Sequence, residues 1–128
     1  MDQTWQTYLV EVLFSKMAIR IPIQRDSTNY EIEVEIDGVE FLLRFKYNSV
    51  GDRWFIDILA IDGTCLRMGV PIVLNADIFS GWQEPERPQG AMYAFALGEP
   101  NDPPNLADLE RGRVDILYIP FQELLAAP

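Results

Sequence analysis

Histidine is absent from this 128-residue chain, and cysteine occurs once, as Cys65. The lack of histidine removes the commonest general base and the commonest metal ligand. One thiol and no imidazole cannot make the donor set of a structural zinc site. Cys65 has no partner for an internal disulfide and no base to activate it, so a buried, inert thiol within a strand is expected. Cations are scarce as well: 10 Lys and Arg stand against 20 Asp and Glu, for a net charge of −10 and a pI of about 4.3. Direct readout of nucleic acid and adhesion to an anionic membrane both rely on clustered cations, which this balance does not supply. The acidic surface suits solubility or a basic partner. No apolar run approaches the roughly 20 residues that span a bilayer, so membrane insertion is not expected. The N-terminus carries Asp2 and Glu11 and lacks the basic start and small-residue cleavage site of a signal peptide, so synthesis and assembly in the cytoplasm are expected.

The remaining routes to chemistry are equally bare. Ser15, Ser27, Ser49 and Ser80 stand in no nucleophile-elbow context, and no triad can be completed. Gly-rich phosphate loops are absent. Asp57 on an apolar run would need a second acid across a cleft to act as a glycosidase does. Asp37 and Asp62 are explained by turns, and Asp52, Asp62 and Asp102 have no EF-hand spacing for calcium. No catalytic residue, cofactor site or metal ligand is therefore expected.

What is present is β-patterning. Tyr30, Ile32, Val34 and Ile36 alternate with Glu31, Glu33 and Glu35, the period of a half-buried strand. Asp37-Gly38 follows, both tolerant of positive φ, which is a strong hairpin signal. A two-residue turn there pairs Ile36 with Val39, Val34 with Phe41, Ile32 with Leu43 and Tyr30 with Phe45 on one apolar face. The opposite face pairs Glu31 with Arg44, Asn29 with Lys46 and, unfavourably, Glu35 with Glu40.

A second hairpin is expected from Arg53–Ile61, a turn at Asp62-Gly63, and Thr64–Val73. In its first strand Trp54, Ile56 and Ile58 share one face and Phe55, Leu59 and Ile61 the other, which reads as an interior strand covered on both sides. Asp57 needs a partner or a rim position there. Further strands are expected at Ile72–Phe79, with a break near Asn75, at Ala91–Leu97 and at Arg113–Pro120. Proline-rich loops lie between them at Gly81–Gly90 and Gly98–Asn105. Asn105 to Gly112 fits a short helix, Asn105 as N-cap and Gly112 as stop. The fold class is all-β: a small β-sandwich or partly open barrel of antiparallel hairpins. Residues 1–18 read as an N-terminal arm and residues 19–128 as a single β-domain. In the arm, Trp5, Tyr8, Leu9, Val12 and Leu13 have helical spacing, while Val10, Val12 and Phe14 fit a strand equally.

Four aromatics are candidates for an interaction surface: Trp5 and Tyr8 in the arm, and Phe79 and Trp82 beside the first proline-rich loop. Phe79 and Trp82 read either as a contact patch or sugar-stacking platform, or as a loop tucking two rings onto the core edge.

Beyond the patterning, several strings stand out: FKYN at Phe45–Asn48, GDRWFIDI at Gly51–Ile58, AIDGTCL at Ala60–Leu66, GVPIV at Gly69–Val73 and RVDILYIP at Arg113–Pro120. In these the sequence resembles the small baseplate plug proteins of contractile-tailed phages, including those of cyanophages, over roughly Ile19–Pro120. The resemblance implies a β-rich virion protein of the tail baseplate, assembled in the host cytoplasm. Implied partners are hub, tube or wedge proteins, with homo-oligomers within the assembly, and no catalytic residues carry over. Trp54 and Tyr47 match the pattern and read as core. The alternatives are a carbohydrate-binding β-sandwich using Phe79 and Trp82, and after it a cellular adaptor domain.

Overall fold

The computed structural model describes residues 18–121, and its architecture grows outward from one regular hairpin. Strand β2 (Asn29–Ile36) pairs antiparallel with β3 (Val39–Asn48) in the register that the alternation dictates: Ile36 faces Val39, Val34 faces Phe41, Ile32 faces Leu43, Tyr30 faces Phe45, and Glu31 faces Arg44. Asp37 and Gly38 take φ of 53° and 79°, the paired positive values of a type I′ turn. A slip of one residue would bring the glutamates into the core, and that penalty holds the register.

Strand β4 (Arg53–Ala60) adds to β3, with Leu43 opposite Ile58, Phe45 opposite Ile56 and Tyr47 opposite Trp54. Strand β5 (Cys65–Pro71) completes a four-stranded sheet in the order β2-β3-β4-β5. The β4–β5 turn differs from a two-residue one. The Gly63 amide donates to the Ala60 carbonyl, the Ala60 amide to the Thr64 carbonyl, and Gly63 takes φ of 94°. This is a three-residue loop closed by a glycine bulge, which leaves Ile61 46% exposed rather than on a covered face. Strand β4 is interior as expected. Trp54, Ile56 and Ile58 are buried on the core side, and Leu59 and Asp57 are buried on the other.

The second sheet has three strands in the order β1-β7-β6: β1 (Ile19–Ile21), β6 (Ala91–Ala96) and β7 (Val114–Ile119). The sequence reading did not find β1, whose three residues are too few to show a period. The strand expected over Ile72–Phe79 is replaced by two isolated bridges, Leu74 with Ala94 and Asp77 with Tyr93. Asn75 between them takes φ of 58°, which turns the chain out of an extended path as it crosses from one sheet to the other. Helix α1 (Leu106–Glu110) has Asn105 as N-cap in a capping box with Asp108, and Gly112 beyond it takes φ of 68°.

The two sheets close face to face as an open sandwich. Ile21, Met92, Ile116 and Tyr118 from one sheet meet Val34, Phe41, Leu43, Phe45, Trp54, Ile56 and Ile58 from the other, all buried. Each such side chain contributes about 1.5–3 kcal/mol by leaving water, and this burial is what holds the sheets together.

Candidate interaction surface

The aspartates divide sharply from the glutamates. Asp57 Oδ1 accepts from the Gly69 amide at 2.7 Å, and Oδ2 meets Lys46 Nζ at 2.5 Å. The pairing register slips on the β5 side here, so Gly69 (φ 64°) sits in a bulge that Asp57 pins. Burial pushes the Asp57 carboxyl upward, but Lys46 and the Gly69 amide outweigh it and hold the group below the usual carboxylate range. Asp108 is fully buried. It accepts from the amides of Asn101 and Asn105 and pairs with Arg113 at 3.1 Å, so its carboxyl is also held low against the opposing effect of burial.

Asp52 accepts from the Tyr47 hydroxyl and from the Leu106 amide, and Asp102 accepts from the Leu74 amide. Asp62 accepts from the Thr64 amide, which closes its own turn. Asp77 accepts from the amides of Phe79 and Met92 and pairs with Arg87. Each of these carboxylates fastens a strand end or a loop. Among the described residues no group of three or more His, Cys, Asp or Glu could hold a metal, and no helix is long and apolar enough to cross a membrane.

The candidate surface at Phe79 and Trp82 is corrected by the structure in favour of the other reading, a loop that tucks both rings onto the core: the rings are only 1% and 2% exposed. Phe79 packs edge-on against Trp82 at 5.4 Å and lies 6.0 Å from Tyr118, while Trp82 meets Phe41 at 6.5 Å. Arg87 causes this. Its guanidinium lies 5.7 Å over the Phe79 ring and donates to the carbonyls of Phe79 and Pro88, folding the proline-rich loop back onto the core. Sequence reasoning passed over Arg87, although a lone cation among prolines was the available signal. Trp5 and Tyr8 lie outside the described residues.

Cys65 is also corrected, since it is exposed. It begins the outermost strand of its sheet opposite Leu59, on the face turned away from the sandwich. Trp54 is core as expected, and its indole N–H donates to the Asn105 carbonyl. Tyr47 packs against it at 5.4 Å and is partly buried.

One candidate contact surface lies around the β2–β3 hairpin. A groove of about 540 Å³ opens at its tip, between Ile36, Val39 and Phe41 on one side and Pro85, Pro88 and Phe121 on the other. Val39 and Phe121 are 53% and 45% exposed there. Along the hairpin's flank run Glu31, Glu33 and Glu35, all exposed. The sequence placed these glutamates on a solvated face but could not show that β2 is the outer strand of its sheet.

The strings that carry the family resemblance are thus scaffold. FKYN ends β3 with the tyrosine that binds Asp52, WFIDI carries the indole and the bulge-pinning aspartate, and RVDILYIP supplies Tyr118. No curated protein matches the chain. Residues 18–121, all that the structure describes, match the family model described as cyanophage baseplate Pam3 plug gp18. The chain therefore belongs to the family of cyanophage baseplate plug proteins, structural proteins of the virion's tail baseplate.

Proposed function

We propose that this plug acts in tail assembly, joining the hub, tube or wedge proteins of the baseplate without catalysing any reaction. The observation that carries this reading is the use of the polar side chains. Those that the fold buries or clamps serve the scaffold, and the outward ones form an acidic surface with an exposed apolar groove at the hairpin tip. Such a surface suits the binding of a partner protein. The sugar-binding alternative loses its stacking platform with the burial of Phe79 and Trp82.

The test is co-expression of the tagged chain with the products of neighbouring tail genes, then mass determination of what co-purifies. A defined complex of fixed stoichiometry is expected. A lone monomer that captures none of the hub, tube or wedge proteins would overturn the reading.

A further inference from the structure

Among the sheet edges of the described residues, three are guarded. Strand β1 has only three residues and is followed by Pro22. The edge of β6 is crossed by the bridges from Leu74 and Asp77. Strand β5 is bulged, carries Gly69 with positive φ and ends in Pro71. Such devices keep edges from pairing with other chains. Strand β2 has none of them. It runs eight residues without a bulge or proline and pairs on one side only, with β3.

The register states which backbone groups lie open. A two-residue turn makes Ile36 and Val39 a hydrogen-bonded pair, so Val34, Ile32 and Tyr30 also turn their N–H and C=O groups toward β3. The bond from the Tyr47 amide to the Thr28 carbonyl continues that parity. The groups of Glu31, Glu33 and Glu35 therefore point away from the sheet, and no other backbone group among the described residues bonds to them. Their side chains give the edge its sign. Glu31 is paired with Arg44, but Glu33 faces Leu42 and Glu35 faces Glu40, and no cation among the described residues pairs with Glu33 or Glu35.

Resting on the assembly reading above, we propose that the free edge of β2 is a docking strand for an extended segment of another baseplate protein, with Lys or Arg alternating with apolar residues. The incoming backbone would satisfy the open groups of Glu31, Glu33 and Glu35. Its cations would stand beside Glu33 and Glu35, and its apolar residues would cover the half-buried Tyr30 and Ile32. Charge selects this occupant over others. A second copy of β2 would set glutamate against glutamate, which is destabilising. Residues 1–17 bring one cation, Lys16, against Asp2 and Glu11, and residues 122–128 bring Glu123 and no cation.

The test compares backbone amide exchange in the free protein with that in the co-purified baseplate complex, and repeats the capture with Glu33→Lys/Glu35→Lys. Exchange at Glu31, Glu33 and Glu35 is expected to be fast in the free chain and slowed about a hundredfold or more in the complex. The charge reversal is expected to weaken capture about tenfold or more, while Glu84→Lys/Glu99→Lys, equal in charge but on the loops, leaves it unchanged. Glu33→Pro offers a second block, because the amide it removes makes no bond within the sheet. A complex in which these amides exchange at the free rate, or that survives the reversal intact, would overturn the docking strand and leave the assembly role standing. A wild-type chain that captures nothing would overturn both.

Discussion

Tyr118 and Asp37, separated by 81 positions in the sequence, are joined by a hydrogen bond of 2.5 Å from the phenol Oη to Asp37 Oδ2. The bond ties the turn of the β2–β3 hairpin to the central strand of the opposite sheet. The same oxygen accepts from the Gly90 amide at 2.9 Å, which fixes the end of the first proline-rich loop. Burial first, and then the Asp37 carboxylate, push the Tyr118 phenol well above its ordinary range, so it stays a donor throughout the physiological range.

Tyr118→Phe is expected to cost about 1.5–3 kcal/mol, the range for a hydrogen bond to a charged group, with the Gly90 amide left unpaired as well. Gly90→Ala is expected to be at least as costly. A β-carbon there would overlap the Ile119 carbonyl and the Tyr118 ring, and the backbone cannot move aside easily. Urea denaturation of the three proteins would measure both effects. Unchanged midpoints would show that this junction carries no stability.

Asp57 holds the β5 bulge through Gly69 and neutralises Lys46. Asp57→Ala removes both functions and is expected to lose about 2–3 kcal/mol. Asp57→Asn keeps an acceptor for the Gly69 amide and is expected to lose roughly half as much. Equal losses in thermal and urea melts would mean that the charge pairing, and not the bulge, is what matters.

Asp108 sets the acid limb of stability. Its folded pKa lies below the ordinary aspartate value of 3.8. Its contribution is therefore complete above that value and disappears as the pH falls through the lower folded value. Asp57 titrates in the same direction. Stability is expected to fall steeply below about pH 4, and Asp108→Asn should flatten that fall while lowering stability at pH 7. A variant whose stability curve runs parallel to the wild type between pH 2 and pH 7 would contradict this.

Removing residues 1–16, with Trp5 and Tyr8, is expected to leave the melting temperature of the β-domain within a few degrees of the full chain and to weaken capture of tail partners. A large drop in melting temperature would place those residues in the domain's own core.

The sequence alone determined the local geometry. Strict alternation from Tyr30 to Ile36, followed by Asp37-Gly38, specifies one register, because a slip of one residue buries glutamates and the two-residue turn excludes a longer one, and every β2–β3 pair read from it is present. Asn105 and Gly112 likewise bounded the helix, since a cap and a left-handed stop are local requirements. The absence of histidine and the single cysteine are likewise properties of the sequence alone. Contacts between distant segments were not legible. Nothing near Asp37 in the sequence names Tyr118 as its partner, and nothing near Phe79 announces that Arg87 will fold the loop over it. Cys65 looked buried because it stands in an apolar strand, yet that strand is the outermost of its sheet. Which strands lie at an edge, and so whether Glu33 and Glu35 flank an open backbone, depends on the order of strands across the sheets. That order is set by how two apolar faces close on each other, a property of the whole chain rather than of any window along it.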